Sequence, residues 1–225
     1  MSDLPLLIQR VIRSKRRTIA LIVENDGSVT IRAPMKISGK TIIDFVDKHA
    51  QWVEKKQAEI KAIVPTLPKQ YQTGESFLYL GQAYPLEIVS DAKKKLVLEN
   101  GFKLAESAQT HAELVFQNWY RQQARQVIEA RAAFFADKYQ LHYDKLRITS
   151  ARTRWGSCSS KGTLSFSWRL ILTPLELVDY VVIHELAHTV HHNHSKRFWK
   201  LVEKIIPDFK EWRRQLKQYG QQMLS

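Results

Sequence analysis

The chain has 225 residues, of which 44% are hydrophobic and 25% charged, so it can form one large domain or two small ones with a real core. Its formal net charge of +13 favours anionic partners such as nucleic acid or nucleotides, although many basic soluble proteins have none. Cys158 is the only cysteine, which excludes an intrachain disulfide and is typical of a reducing compartment.

The apolar run at the N-terminus, residues 4–8, is too short for a signal peptide and follows no basic segment. No later stretch approaches the roughly 20 apolar residues that span a bilayer. We therefore expect a cytoplasmic protein with no membrane partner.

Strand patterns dominate the first half of the chain. Residues 18–23 and 28–32 flank Asp26-Gly27, and Asp-Gly is a strong hairpin signal because a type I′ turn needs positive φ. A helix is predicted from Thr41 to about Ile63, where apolar residues recur near every 3.6 positions. Strand patterns then resume at residues 76–80, 84–89 and 95–99.

The second half is mainly helical in pattern. Apolar periodicity predicts a long amphipathic helix from Thr110 to about Tyr139, and a further helix from Pro174 to about His192. The other predicted elements are strands at residues 146–149 and 163–167, a turn region at 156–162, and a last helical region at 196–219 that Pro207 interrupts.

These elements together indicate an α+β protein. We expect a β-rich N-terminal part with one helix at residues 1–105. The second part, at residues 106–225, is expected to be mainly helical and to carry the residues with candidate chemistry.

Two histidines and a glutamate form a metal motif on the helix that follows Pro174. His184 and His188 are four residues apart, so on a helix they share one face, about 6 Å apart along the axis, and can bind one ion. Glu185 follows the first histidine and can reach a water at that ion. This His-Glu-x-x-His pattern predicts a catalytic zinc site with Glu185 as general base.

A catalytic zinc ion usually takes a third protein ligand, and three histidines compete for that position. His191 shares the helix face but lies two turns beyond His184, about 10 Å along the axis, which would stretch the coordination sphere. His192 points off that face. His194 follows Asn193, which tolerates the left-handed conformation at helix ends, so the chain can fold back there. The spacing favours His194 and leaves His191 and His192 as supporting or surface groups.

The residues from His184 to Trp199 resemble the YgjP-like metallopeptidase family, a relative of the SprT-like and WLM zinc proteases. The resemblance continues upstream through residues 154–160 and 168–170, and it extends weakly to the strand that ends in Arg32-Ala33-Pro34. It covers most of the chain, and its most specific part runs from about residue 152 to 200.

The family resemblance implies a zincin-like metallopeptidase core with zinc bound by His184, His188 and His194. It also implies that Glu185 is catalytic and that the substrate is a protein or a peptide. In the family pattern Asn precedes Trp-Arg-Leu, and this chain has Ser167 at that position. The difference leaves the metal ligands unchanged and concerns the substrate contacts beside them, among which Ser167 is a candidate.

Other residues near the motif have two interpretations each. Arg154 and Arg169 are candidate contacts for a substrate carboxylate or phosphate, or else part of a solvated basic rim. The strand at residues 163–167 is a candidate edge for an extended peptide, or else an ordinary paired strand. Cys158 is expected to be a small, buried or lightly exposed residue and not a ligand, because three histidines complete the set.

Three functions are compatible with these residues, and a zinc-dependent metallopeptidase is the leading hypothesis. The first alternative is a metal-dependent nucleoside triphosphate pyrophosphatase or other phosphoanhydride hydrolase, which the basic charge favours mildly. A site of three histidines and one glutamate is less typical of phosphate chemistry than a carboxylate-rich site. The second alternative is a nucleic-acid-associated protease, although the basic cluster at residues 10–17 has no stacking aromatics or reader motif.

Overall fold

The computed structural model describes residues 8–24, 27–61, 69–90 and 92–223. The chain divides into two compact units, Met1–Thr66 and Leu67–Ser225. Their mixture of helices and strands confirms the predicted α+β class. The domain boundary expected between residues 105 and 106 falls within the second unit. Every helix in the described ranges is too short or too polar to cross a membrane.

The first unit is a three-stranded sheet with two helices packed on one of its faces. The central strand β3 (Val29–Pro34) pairs in parallel with β1 (Ile8–Ser14) and antiparallel with β2 (Ala20–Val23). The helices are α1 (Gly39–Lys48) and α2 (Ala50–Lys61). Alternate residues of β3 point to the helices because side chains of a strand alternate between faces. The core of this unit comprises Val29, Ile31, Ala33, Ile42, Val46 and Val53.

The sequence patterns predict part of this first unit. The strands of the expected hairpin do pair, with Val23 opposite Val29, while Asn25 and Asp26 of its turn lie outside the described residues. The single helix predicted from Thr41 to Ile63 is wrong: α1 ends at Lys48, and the backbone of the next residue, His49, leaves the helical region at φ −112° and ψ 11°. The patterns also miss β1, because polar residues interrupt its apolar alternation.

One arginine of the basic cluster at residues 10–17 has a structural role. The Arg13 guanidinium donates hydrogen bonds to the main-chain oxygens of Pro34, the last residue of β3, and of Met35 and Ile37, which precede α1. These bonds satisfy carbonyl groups where the chain leaves the sheet. Arg13 is therefore engaged in holding this connection.

The described part of the second unit contains two sheets. The first has the strand order β4-β5-β7-β6, formed by β4 (Ser76–Tyr79), β5 (Gln82–Val89), β6 (Leu96–Leu98) and β7 (Phe102–Ala105). The second has the order β8-β10-β9, formed by β8 (Lys145–Thr149), β9 (Gly156–Cys158) and β10 (Thr163–Ser167).

Four α-helices accompany these sheets in the described residues. They are α3 (Ala112–Tyr139), α4 (Leu175–Ala187), α5 (Lys196–Ile205) and α6 (Phe209–Met223), with short 3-10 helices at Glu106–His111 and Trp168–Leu172. The predicted long helix is confirmed as α3. The helix predicted to reach His192 is wrong at its C-terminal end, because α4 stops at Ala187. The patterns also miss β7 and β9, since strands of three or four residues are too short to show a period of two.

Helix α3 packs against the rest of this unit along one face, because its buried residues recur every four positions. Its buried face runs through Phe116, Tyr120, Ala124, Ile128 and Ala132. At one end, the ring of Phe116 stacks on that of Phe77, with centroids 4.2 Å apart. At the other end, α3 is tied to α4 by an ion pair.

That ion pair joins the Arg131 guanidinium on α3 to both carboxylate oxygens of Asp179 on α4, at 2.5 and 2.6 Å. Burial raises the pKa of Asp179, while the neighbouring Arg131 opposes that shift. A two-bonded arginine–carboxylate pair restricts orientation as well as distance. It therefore sets the position of α4 against α3.

Candidate metal centre

Helix α4, which carries the metal motif, is surrounded by apolar contacts on almost all sides. A helix that is hydrophobic all round is one that the protein core encloses. The fully buried residues of this helix include Leu177, Val178, Val182, Ile183, Leu186 and Ala187. The histidine motif is thus held on a rigid element, with little freedom to shift.

The chain reverses directly after α4. The amide groups of Thr189, Val190 and His191 donate hydrogen bonds back to the carbonyl oxygens of Leu186 and Ala187, which closes the last turn. Helix α5 then begins, and the side chain of its N-cap residue, Ser195, accepts a hydrogen bond from the amide of Phe198. The short connection between the two helices carries His194 back to the side of α4.

Three imidazoles converge at this reversal. The Nε2 atom of His194 lies 3.1 Å from Nε2 of His184 and 3.2 Å from Nε2 of His188. All three potential ligand atoms lie within 4.8 Å of one another. Ligand nitrogens on a tetrahedral ion with bonds of about 2.1 Å are about 3.4 Å apart, so these residues fit a metal ion. Together with the family match reported below, this group implies that the protein binds a metal.

The orientation of His188 follows from a hydrogen bond that His191 provides. The Nδ1–H group of His188 donates to the main-chain oxygen of His191 at 3.0 Å, which leaves Nε2 unprotonated and directed at the cluster. His191 thus contributes its backbone to the site, while its imidazole is outside the group of converging nitrogens. His192 lines the adjoining cavity.

Aromatic side chains pack around the histidines. The ring of Phe198, which is 0% exposed, lies 5.0, 4.4 and 4.9 Å from those of His184, His188 and His194. Trp199 stacks on His194 at 5.5 Å with an interplanar angle of 23°. The Arg213 guanidinium lies over Trp199 at 4.9 Å. Phe198 and Trp199 therefore pack against the candidate ligands and restrict their positions.

Burial and neighbouring charges lower the pKa values of two of the three imidazoles, His184 and His194. The pKa of His184 is lowered to about 3, chiefly by burial and then by the charges of His188 and His194. Burial also lowers the pKa of His194. Neutral imidazole is the form that binds metal, so these lowered pKa values favour the metal-binding form of His184 and His194.

Glu185 lies in a pocket that disfavours its charge. Its side chain is only 6% exposed, and burial raises its pKa to about 7, while the charge of Arg154 opposes this shift. Strand β9 approaches it closely: a Cβ atom added to Gly156 would lie 2.7 Å from both Cγ and Oε1 of Glu185. Only glycine at position 156 leaves room for this carboxyl group.

A cavity of about 480 Å³ opens beside these residues. The histidine cluster and Glu185 form one wall, and Gly156, Ser157 and Cys158 of β9 form another. Cys158 is partly buried, and its pKa is raised by burial and by Glu185, so the thiol stays protonated. Within the described chain, its sulfur lies outside the converging group of potential metal ligands.

The three candidate substrate contacts have different surroundings. Arg154 lines the cavity. Ser167 is 1% exposed, and its hydroxyl donates to the main-chain oxygen of Ala151 at 2.7 Å. The Arg169 guanidinium donates to the main-chain oxygen of Ser150 at 3.2 Å and lies over Trp168. Ser167 and Arg169 thus hold the segment after β8, and the structure brings Arg154 alone of the three to this cavity.

The strand at residues 163–167 is central in its sheet, so of its two interpretations the ordinary paired strand is correct and the edge for a peptide is wrong. β10 pairs with β8 on one side and with β9 on the other. The open edge beside α4 belongs to β9. Ser167 and Ser159 donate amide hydrogen bonds to Trp155 and Thr163 across this pair. Bonded and non-bonded pairs alternate in antiparallel ladders, so the main-chain groups of Gly156 and Cys158 point to the open edge.

Of the comparisons with known proteins, the family match agrees with a metal site in this chain. A family model described as YgjP-like, metallopeptidase domain, matches residues 17–219. Among solved structures, the metallopeptidase zymogen of Pyrococcus abyssi abylysin is 26% identical, with a TM-score of 0.40. That match covers 44% of this chain and 99% of the abylysin chain. No curated protein matches the chain.

Proposed function

The chain belongs to the YgjP-like metallopeptidase family, and on that premise we propose that it is a zinc-dependent peptidase that uses Glu185 as its general base. The observation that carries this proposal is the convergence of three Nε2 atoms beside a buried carboxyl group. His184, His188 and His194 are the proposed ligands. A catalytic rather than structural site is supported by the adjoining cavity and by the number of proposed ligands, because a set of three leaves a fourth position for water or substrate.

Zinc is the proposed ion because the donor set consists of three imidazoles with no carboxylate ligand in the described group. When bound in such a site, zinc is a Lewis acid that lowers the pKa of a water ligand towards about 7. Hard cations such as magnesium and calcium prefer oxygen ligands, which this cluster lacks.

Glu185 is suited to move a proton in both directions at neutral pH. A general base works best when its pKa lies near the operating pH, and burial raises the pKa of Glu185 to about 7. Its carboxylate takes a proton from the attacking water and returns it to the leaving amine. Gly156 holds this carboxyl group in place by allowing β9 to pass directly against it.

Strand β9 is the proposed binding edge for the peptide. Its outward main-chain groups at Gly156 and Cys158 can pair with an extended chain, as in other cases of strand addition. A peptide added there lies along the cavity wall opposite the three histidines. Main-chain pairing would align the scissile carbonyl with the site, whatever side chains the substrate carries.

Replacement of Gly156 by alanine tests this positioning. We expect Gly156→Ala to lower kcat/KM for peptide cleavage by about 100-fold, since displacement of a catalytic group by about 1 Å has effects of this order. Bound zinc should stay unchanged. Gly39→Ala is the matched control, because a Cβ there meets no atom within 4 Å. Full activity in Gly156→Ala would show that the close approach does not position Glu185.

A phosphoanhydride hydrolase is the second candidate, because the cavity that contains Glu185 is also lined by Arg154, a group that binds phosphate well. The two functions separate in one assay of the full chain, stripped of metal with a chelator and then reloaded with zinc. Casein and nucleoside triphosphates are offered in parallel. We expect the zinc-loaded chain to cleave casein again and to release neither pyrophosphate nor phosphate from the nucleoside triphosphates. Zinc-dependent triphosphate hydrolysis without peptide cleavage would overturn the peptidase proposal.

A further inference from the structure

The sheet of β8, β10 and β9 has two chemically different faces. Leu164 and Phe166 of β10 are fully buried on one face. The alternate residues of β10 point the other way, and there Ser165 is paired with Arg147 of β8 and with Ser157 of β9. This second face is therefore lined by hydroxyl groups and a basic side chain, in contrast to the apolar face.

A second, smaller cavity of about 120 Å³ opens among these hydroxyl residues. Its lining includes four hydroxyl residues, Thr149, Ser157, Ser165 and Ser167, together with Ala151 and Trp155. The residues that it shares with the larger cavity are Arg154, Gly156 and Ser157. Its volume corresponds to about four water molecules at roughly 30 Å³ each. Sites for drug-sized ligands and nucleotides occupy about 300–1,000 Å³, so this cavity suits a single side chain.

Two of its four hydroxyls are available to a ligand. Thr149 and Ser167 already donate hydrogen bonds to the main-chain oxygens of Phe166 and Ala151. Ser157 and Ser165 are opposite each other in the β9–β10 register, and their hydroxyls form no hydrogen bond within the described residues. Two donors thus face each other in the cavity that Arg154 also lines.

The surroundings of this cavity favour an anion. No acidic residue occurs in the sequence between Asp144 and Glu176, whereas six basic residues do: Lys145, Arg147, Arg152, Arg154, Lys161 and Arg169. Among the described residues, no carboxylate forms an ion pair with Arg154. A guanidinium with two neighbouring hydroxyl donors is well matched to a carboxylate.

We propose that this smaller cavity is a specificity pocket for an acidic side chain, aspartate or glutamate, of a peptide bound on β9. The inference rests on the proposed peptidase function. Side chains of an added strand alternate between the two faces of the sheet. If one peptide side chain faces α4, the side chain of the next peptide residue therefore points to the smaller cavity. There Arg154 binds its carboxylate, and Ser157 and Ser165 donate hydrogen bonds to it.

A positional set of quenched fluorescent peptides tests the pocket. Glu or Gln occupies each position in turn on one neutral scaffold, and kcat/KM is measured with the zinc-loaded full chain. At one position next to the scissile bond, we expect Glu to exceed Gln by about 10- to 100-fold, the range expected for hydrogen bonds to a charged group. Equal cleavage of Glu and Gln peptides at every position would overturn the proposal.

Variants locate that preference. Arg154→Gln should abolish the Glu-to-Gln ratio, and Arg154→Lys should keep part of it. Because Arg154 also influences Glu185, the ratio is the readout and the absolute rate is not. Lys161→Gln removes the same charge from the turn between β9 and β10, outside both cavities, and should leave the ratio unchanged. A ratio that survives in Arg154→Gln would contradict the pocket.

Binding separates this proposal from the peptidase function itself. The same peptides are titrated by fluorescence anisotropy against zinc-loaded Glu185→Gln protein. Tighter binding of the Glu peptide, lost in the double variant with Arg154→Gln, supports the pocket even if the wild-type chain cleaves no peptide. Cleavage without any Glu preference in binding or rate would leave the peptidase intact and refute the pocket.

Discussion

Glu185→Gln is expected to lower kcat/KM for peptide cleavage by about 10³-fold or more, since general acid–base catalysis contributes roughly 10²–10⁴-fold. Glutamine has nearly the same shape as glutamate, so the packing against Gly156 is preserved. It cannot accept a proton from water. The measurement is kcat/KM on a fluorogenic peptide, together with zinc content per chain.

The control for this variant lies on the same helix. Glu176 is exposed in the first turn of α4, and Glu176→Gln makes the same chemical change far from the histidines. It should retain wild-type activity. A Glu185→Gln protein that binds one zinc ion and cleaves at the wild-type rate would show that another group is the base.

His194→Ala is expected to have the largest effect on metal binding. Mutation of a residue that hydrogen-bonds to a metal ligand typically weakens metal affinity by roughly 10- to 100-fold. Loss of a ligand itself should weaken zinc affinity by more than this. His191→Ala is the matched control, because the main-chain oxygen that orients His188 survives the substitution. Zinc affinity is measured by competition with a chromophoric chelator, and thermal unfolding of the metal-free proteins checks the fold.

The two variants also test the choice between the histidines directly. His194 is exposed, so its replacement should leave the metal-free fold intact. The proposed ligand set is contradicted if His191→Ala loses zinc while His194→Ala retains it. Equal, modest losses in both would mean that neither imidazole is a ligand.

Local sequence patterns predicted the elements that are long or whose signal lies in adjacent residues. Helix α3 shows a clear helical period over 28 residues, and the hairpin strands β2 and β3 flank a strong turn signal. The spacing of His184 and His188 on one helix face is likewise a local property. The preference for His194 over His191 followed from the same helical geometry, and the structure does bring His194 to the other two.

Sequence patterns failed where pairing or packing between distant residues decides the outcome. β9 is three residues long, and it is a strand because it pairs with β10. Which of the two forms the sheet edge depends on β8, which lies on the other side of β10. The end of α4 at Ala187 also depends on tertiary structure, because the chain turns back there and brings His194 to the other two imidazoles.

The sequence by itself therefore determined the α+β class, the helix that carries the metal motif and the chemistry of its residues. These depend on periodicity and spacing within a few turns of chain. Only the tertiary structure decided that Gly156 lies against Glu185, that β9 is the edge strand beside α4, and that Arg154 lines both cavities. Each of these joins segments far apart in sequence, whose contacts no local pattern encodes.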